Sequence, residues 1–129
     1  MKTVILCLAG LFHLSTNDVL TGRWETKPSR KGNVTGVVFK ADNSFEGYVN
    51  KKPFVSGKYI LEDSIIKMVD NGCNQVWCTY KMHFTANGDT ATFELIDDKC
   101  EERAHGMVQL VLGRVRPGNE NKKVQAAMF

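Results

Sequence analysis

Apolar and polar residues alternate along most of the chain in short runs rich in β-branched and aromatic residues. From about residue 20 to residue 115, turn residues separate these runs every ~8 to 12 positions, which is the pattern of short antiparallel strands. The runs are LTGRWETK, VTGVVFKA, SFEGYVN, PFVSGKYIL, SIIKMVD, VWCTYKMHFTA, DTATFELID and MVQLVLGRV. The sequence therefore predicts an all-β domain of eight strands joined by tight hairpins.

Each predicted strand has one apolar face, and an open sheet of such strands would leave two exposed edges. Closing eight strands removes both edges and gives an interior wide enough for side chains or for one small ligand. The firmest hairpin is at Asn87-Gly88, because this dipeptide accepts two positive φ angles at little cost. We predict a single eight-stranded, up-and-down antiparallel β-barrel.

The alternation also predicts which side chains face the interior. If the barrel is hollow, the residues expected to line its pocket and bind a ligand are Phe39, Tyr59, Tyr80, Met82, Phe93 and Leu95. On this apolar face the Tyr80 hydroxyl needs a hydrogen-bond partner. That partner is either the polar group of a ligand or a bound water, or else a carbonyl or Arg103 in a filled core. Because these side chains are bulky, we expect a small cavity and a compact apolar ligand.

One stretch departs from the strand pattern. In DDKCEERAHG, Asp97 or Asp98 is a suitable N-cap for a short helix that Gly106 would end, just before the last strand. The acidic residues here and His105 have two interpretations, a metal or acid–base site or a solvated helix face. We favour the solvated face and predict no metal, no cofactor and no catalytic residue.

Both ends of the chain differ from this central domain. Residues 1–16 have one lysine and then an apolar stretch, which is typical of a secretory signal peptide and too short for a membrane anchor. The alternative is a buried first strand. Residues 17–116 form the predicted barrel domain, and the polar residues 117–129, which begin with Pro and Gly, are predicted to be a disordered tail. We therefore expect a secreted protein, extracellular or periplasmic.

Three cysteines follow the predicted leader, and in an oxidising compartment two of them are expected to pair. Cys73 and Cys100 both lie at loop positions, whereas Cys78 lies within a strand pattern. We predict a Cys73–Cys100 disulfide that closes a loop of about 27 residues. The C-x4-C spacing of Cys73 and Cys78 supports a structural zinc site only weakly.

Composition and charge narrow the partners. The chain has 129 residues, of which 43% are hydrophobic, and its formal net charge is +3 with scattered basic residues. These values are those of one ordinary globular domain and do not indicate nucleic acid as a partner.

Several of these segments resemble lipocalins and their relatives, the calycins. TGRW at 21–24 is similar to the Gly-x-Trp of the first calycin strand, and Asp98, Cys100 and Arg103 resemble an Asp-x-Cys-x-x-Arg element of small lipocalin-like domains. The resemblance covers roughly residues 20–115 and implies a cation–π contact between Trp24 and Arg114 that closes the barrel base. Cys78 and the tail after Arg116 depart from the pattern.

The resemblance implies a binding protein that holds a small hydrophobic molecule inside the barrel. A second interpretation is a protein-interaction or inhibitor module with a filled barrel and binding loops. A third is an isomerase or hydrolase that uses the same cavity. We expect a binding protein rather than an enzyme.

The leader gives the first testable prediction. Cleavage is expected between about Gly10 and Thr16, leaving a mature chain of roughly 115 residues. Intact-mass measurement of the exported protein checks this. Recovery of an unprocessed cytosolic chain would contradict it and would remove the reason to expect a disulfide.

Overall fold

Eight strands pair with their neighbours in sequence order, and the first strand pairs with the last to close the sheet into a barrel. The computed structural model describes residues 19–116, so the predicted leader at 1–16 and the predicted tail at 117–129 lie outside the described residues. The strands are β1 (Gly22–Glu25), β2 (Thr35–Phe39), β3 (Ser44–Val49), β4 (Lys52–Glu62), β5 (Ile65–Asp70), β6 (Cys78–Thr85), β7 (Thr90–Asp97) and β8 (Val111–Val115). This confirms the predicted all-β, up-and-down antiparallel barrel with one short helix before the last strand.

The strands form where apolar and polar residues alternate. Along β6, Cys78, Tyr80 and Met82 are buried, whereas Lys81 and His83 between and beyond them are exposed. Because successive side chains in a strand point to opposite faces, one side of β6 fills the barrel and the other meets solvent.

Tight turns join the strands at residues that accept positive φ. Ala86 (φ 53°), Asn87 (φ 59°) and Gly88 (φ 85°) make the predicted turn between β6 and β7. Asn50 (φ 52°) and Lys51 (φ 68°) make the two-residue turn between β3 and β4. Two consecutive positive φ angles in a two-residue turn match the right-handed twist of the strands that they connect.

The turns define two ends of the barrel. The closed end carries the start of β1 and the turns β2–β3, β4–β5 and β6–β7, and the open end carries the other loops and the helix.

At the closed end Trp24 is fully buried, and its indole Nε1 donates to the Leu20 carbonyl at 2.8 Å. The Arg114 guanidinium lies 4.3 Å from the Trp24 ring centroid. Arg114 also donates to the carbonyls of Thr21 and Val19. The expected cation–π contact is therefore present, and it ties the first and last strands together.

The helix differs from its predicted bounds. Helix α1 runs from Glu101 to Met107, with Cys100 as its N-cap residue and no side-chain cap, and Gly106 lies inside it rather than after it. Asp98 does not cap the helix, because its carboxylate accepts from the Cys100 amide (2.9 Å) and from Tyr80 and Arg103.

The predicted disulfide between Cys73 and Cys100 is confirmed, and Cys78 is a free, buried cysteine. The disulfide joins the loop before β6 to the start of α1. In that loop Cys73, Asn74 and Gln75 have φ angles of 51°, 54° and 56°. L-residues avoid this left-handed conformation by about 1–2 kcal/mol each, so the loop depends on its surroundings to hold it.

Arg114 provides a prediction for the closed end. Arg114→Ala removes the guanidinium over Trp24 and two hydrogen bonds, and it should lower the free energy of unfolding by about 2 kcal/mol. Arg116→Ala is the matched control, because the Arg116 side chain is 56% exposed and pairs only with the exposed Asp89 among the described residues. Urea denaturation should place that variant within about 0.5 kcal/mol of the wild type. An equal loss of unfolding free energy in both variants would show that Arg114 does not stabilise the pairing of β1 with β8.

Candidate functional site

The interior is filled at the closed end by large side chains. Trp24, Tyr59 and Phe39 are at most 1% exposed, and Phe39 meets the edge of the Tyr59 ring at a centroid distance of 5.1 Å. The Tyr59 hydroxyl donates to the Lys40 carbonyl at 2.8 Å, so its polar group is satisfied without a ligand. Around Trp24 and Tyr59 the barrel is therefore a packed core, and Phe39 lies between this core and the cavity.

Toward the open end the side chains leave a cavity of about 100 Å³. Its wall combines residues from β2–β5, β7, β8 and the segment around α1. Apart from Thr35, every residue of this lining is apolar or glycine. The lining residues are Thr35, Gly36, Val37, Phe39, Phe45, Gly47, Phe54, Val55, Met68, Phe93, Met107, Leu110 and Leu112. Phe54 is 62% exposed, so the cavity reaches the surface beside its ring.

A glycine and a bulge shape the wall on the β3–β4 side. Gly47 faces the interior, and because a Cβ there would lie 2.6 Å from Val55 Cγ1, the absent side chain makes room for Val55. In the β3–β4 register Gly47 pairs with Val55 and Tyr48 pairs with Pro53, which leaves Phe54 as an extra residue. Such a bulge bends the strand and redirects its side chains, and here it places Phe54 at the rim of the cavity.

The structure places the six residues expected to line a pocket in three different surroundings. Of the six predicted residues, Phe39 and Phe93 line the cavity. Tyr59, Tyr80 and Met82 are instead packed in the core, at most 2% exposed. Their rings and thioether fill the barrel because eight strands enclose little more volume than their own side chains need.

Leu95 also departs from the expected lining. It stands opposite Tyr80 in the β6–β7 register, yet it is 45% exposed and lies outside the lining of the cavity. The reason is that β8 pairs with β7 only over Thr90–Thr92, so Leu95 lies beyond the end of β8. A ligand-binding role for the six residues stays a prediction.

A buried polar cluster adjoins the cavity at the open end. The Tyr80 hydroxyl donates to Asp98 Oδ2 at 2.5 Å, while the Tyr80 ring meets the edge of Phe93 at 6.3 Å. Arg103 donates to both oxygens of Asp98 at 2.8 and 2.9 Å, to Asp70 Oδ2 at 3.1 Å and to the Val76 carbonyl at 2.9 Å. The Asp98 side chain has no exposed surface, and that of Arg103 is 10% exposed. Bidentate pairing of this kind satisfies both charges where water does not reach them.

The cluster shifts the pKa values of its members. Burial alone would raise the pKa of Asp98, but the hydrogen bonds from Arg103 and Tyr80 hold it below its usual value. Burial, with the Asp98 hydrogen bond, raises the pKa of Tyr80. Burial also raises the pKa of the nearby Cys78 thiol to about 11. At neutral pH the cluster therefore holds an ionised Asp98, a neutral tyrosine and a protonated thiol.

The reactive groups beside the cavity already have partners. Among the described residues that line the cavity there is no carboxylate, histidine, lysine or cysteine. The Tyr80 hydroxyl is already donated to Asp98, and the Cys78 Sγ lies 3.4 Å from the Met68 carbonyl. Between residues 19 and 116, no group of three or more His, Cys, Asp or Glu side chains is placed to hold a metal ion.

Sequence reasoning placed Asp98 on a solvated face and did not assign Asp70. Glu101, Glu102 and His105 are exposed as expected, but Asp98 is buried. The Asp98-x-Cys100-x-x-Arg103 spacing was the available signal, because it puts a carboxylate, a cysteine and a guanidinium close together in sequence at the start of the helix. The position of Asp70 has no such local signal.

Comparisons of the chain with family models, with curated proteins and with solved structures find no significant match. The closed barrel of eight antiparallel strands with one short helix is consistent with a calycin-like fold. Within residues 19–116, no helix has both the length and the apolar composition that crossing a bilayer would need.

Asp98 provides a prediction with a defined pH dependence. Its pKa in the folded state lies below the value of about 3.9 in an unfolded chain, so the ionised form stabilises the fold at neutral pH. That contribution is lost as the pH falls below about 4 toward the folded-state pKa. Asp98→Asn should therefore cost about 3 kcal/mol at pH 7, and less at pH 3.

The control is Asp97→Asn, one residue earlier on an exposed position. Urea denaturation of both variants and the wild type at pH 7 and pH 3 checks the prediction. Equal losses at the two positions, or a deficit for Asp98→Asn that does not narrow in acid, would contradict it.

Proposed function

We propose that this protein is a secreted, lipocalin-like binding protein that holds a compact apolar molecule in the cavity at the open end of the barrel. The observation that carries the proposal is the cavity itself, about 100 Å³ in volume and lined almost entirely by apolar side chains. Ligand pockets are typically apolar, and a hydrophobic cavity of ~150 Å³ in another protein binds benzene or xenon. A ligand with one small ring or a short branched chain matches this size.

The apolar lining of the cavity supports a neutral ligand. Thr35 is the single polar side chain in the described lining, so a charged or strongly polar group would enter without partners. The buried charges of Asp98 and Arg103 are paired with each other. A long fatty acid does not fit, because Tyr59, Tyr80 and Met82 occupy the rest of the barrel.

Export from the cytoplasm is supported by the disulfide. A Cys73–Cys100 bond persists in oxidising compartments, whereas cytosolic thiols are kept reduced. The apolar start of the chain is in keeping with a leader.

A thermal-shift screen tests the ligand class. Benzene, toluene, indole and monoterpenes form the compact set, and fatty acids, retinoids, sterols and haem form the large set. A ligand at 100 times its Kd should add about 2.7 kcal/mol to the free energy of unfolding and raise Tm. We expect shifts only in the compact set. No shift with any compound would favour the interaction module with binding loops.

A pair of neighbouring valines tests the location. Val37 lines the cavity, and Val38 points to the outer surface beside Arg23 and Tyr48. Val37→Phe places its ring in the cavity, so it should abolish the shift at a stability cost below the ~1–3 kcal/mol of an overpacked core. Val38→Phe should keep the shift. Loss of binding in both variants, or in neither, would place the ligand elsewhere.

A further inference from the structure

One part of the cavity wall is held differently from the rest. Residues 98–110, which we call the lid, connect β7 to β8 and contribute Met107 and Leu110 to the cavity. The seven-residue helix α1 within the lid has no buried residue. A helix of this length is not stable alone in water, and it has little apolar surface to hold it in place.

Three attachments hold the lid, and all lie at its beginning. Cys100 is bonded to Cys73, and Arg103 reaches Asp70 and the Val76 carbonyl across the same gap. These two connect the lid to the end of β5 and the loop before β6, and the hydrogen bond from the Tyr80 hydroxyl to Asp98 connects it to β6. The cavity-lining end of the lid, at Met107 and Leu110, has only partly buried packing contacts.

The loop that carries Cys73, at the other end of the disulfide, also has low intrinsic stability. Its three consecutive left-handed residues, 73–75, adopt a conformation that L-residues avoid. Cys73 and Cys100 are both partly exposed, and the residues next to Cys73 are exposed. A reductant in solution therefore has access to the bond, which joins two segments of low intrinsic stability.

We propose that the lid is a redox-controlled gate: the Cys73–Cys100 disulfide holds it against one side of the cavity, and reduction releases it and widens the opening of the cavity to the surface while the barrel stays folded. The reductant is a dithiol. It transfers two electrons and two protons, the Cys73–Cys100 bond becomes two thiols, and the dithiol becomes a disulfide. Release of the bound molecule in a reducing environment is the consequence, and in this respect the inference rests on the proposed function.

The barrel is expected to stay folded when the disulfide is reduced. Its closure depends on the β1–β8 pairing and on Arg114 over Trp24, which lie at the opposite end from the disulfide. Elements with few buried contacts open locally, without global unfolding. The Arg103–Asp70 ion pair and the Tyr80–Asp98 hydrogen bond remain after reduction, so the lid is loosened rather than detached.

Hydrogen exchange of the full mature chain, with and without dithiothreitol, tests the gate without any ligand. Amide exchange in residues 101–110 should rise about tenfold or more on reduction, and that of strands β2 and β3 should stay within about twofold. The Cys73→Ser/Cys100→Ser variant should reproduce the reduced protein. An unchanged lid, or equal acceleration throughout the barrel as in global unfolding, would overturn the proposal.

Two further measurements distinguish the role of the disulfide from that of the Arg103 ion pair, and the gate from the proposed ligand binding. Arg103→Lys keeps the charge but loses the bidentate geometry, so with the disulfide intact the lid should exchange far less than after reduction. Equal exchange would assign the gate to the ion pair instead of the disulfide. Fluorobenzene, followed by 19F exchange spectroscopy, should leave the reduced protein about tenfold faster. If fluorobenzene does not bind at all, the proposed function fails, while hydrogen exchange still decides the gate.

Discussion

The pairing of β1 with β8 is the constraint on which the rest of the structure depends, because a sheet has an interior only when its first and last strands meet. The seam is short, with register pairs only from Arg23 to Glu25 on the β1 side. Backbone pairing over so few residues gains strength from side chains. Trp24 is buried beneath the guanidinium of Arg114, which in turn satisfies carbonyls of the segment leading into β1. Closure removes two edges that would otherwise pair with other chains.

The barrel could be predicted from the sequence because its determinants are local and periodic. The alternation at Cys78, Tyr80 and Met82 predicts which face of β6 is buried, and the structure buries all three. Asn87-Gly88 predicts a turn from the chemistry of two residues alone. The Cys73–Cys100 pairing followed from both residues lying in loops, and it is confirmed.

The site could be predicted only in part, because its geometry depends on residues that are distant in sequence. Asp98 was a predicted candidate to cap the helix, but its carboxylate instead accepts hydrogen bonds from Arg103 and from Tyr80, which lies 18 positions earlier. Arg103 reaches Asp70 across 33 positions. Alternation placed Leu95 correctly on the face of Tyr80, yet where β8 begins decides its exposure, and no local pattern contains that information. The cavity depends similarly on a bulge at Phe54 that leaves no simple mark in the sequence.

The position of the cavity relative to the seam has a consequence for how such a chain can diversify. The pairing of β1 with β8 depends on Trp24 and Arg114 at one end of the barrel, and Met107 and Leu110 form part of the cavity wall at the other. Substitutions at distant sites act nearly independently on stability. Changes in side-chain volume at Met107 and Leu110 can therefore accumulate without opening the barrel, and one scaffold can be adapted to guests of different size while its closure stays constant.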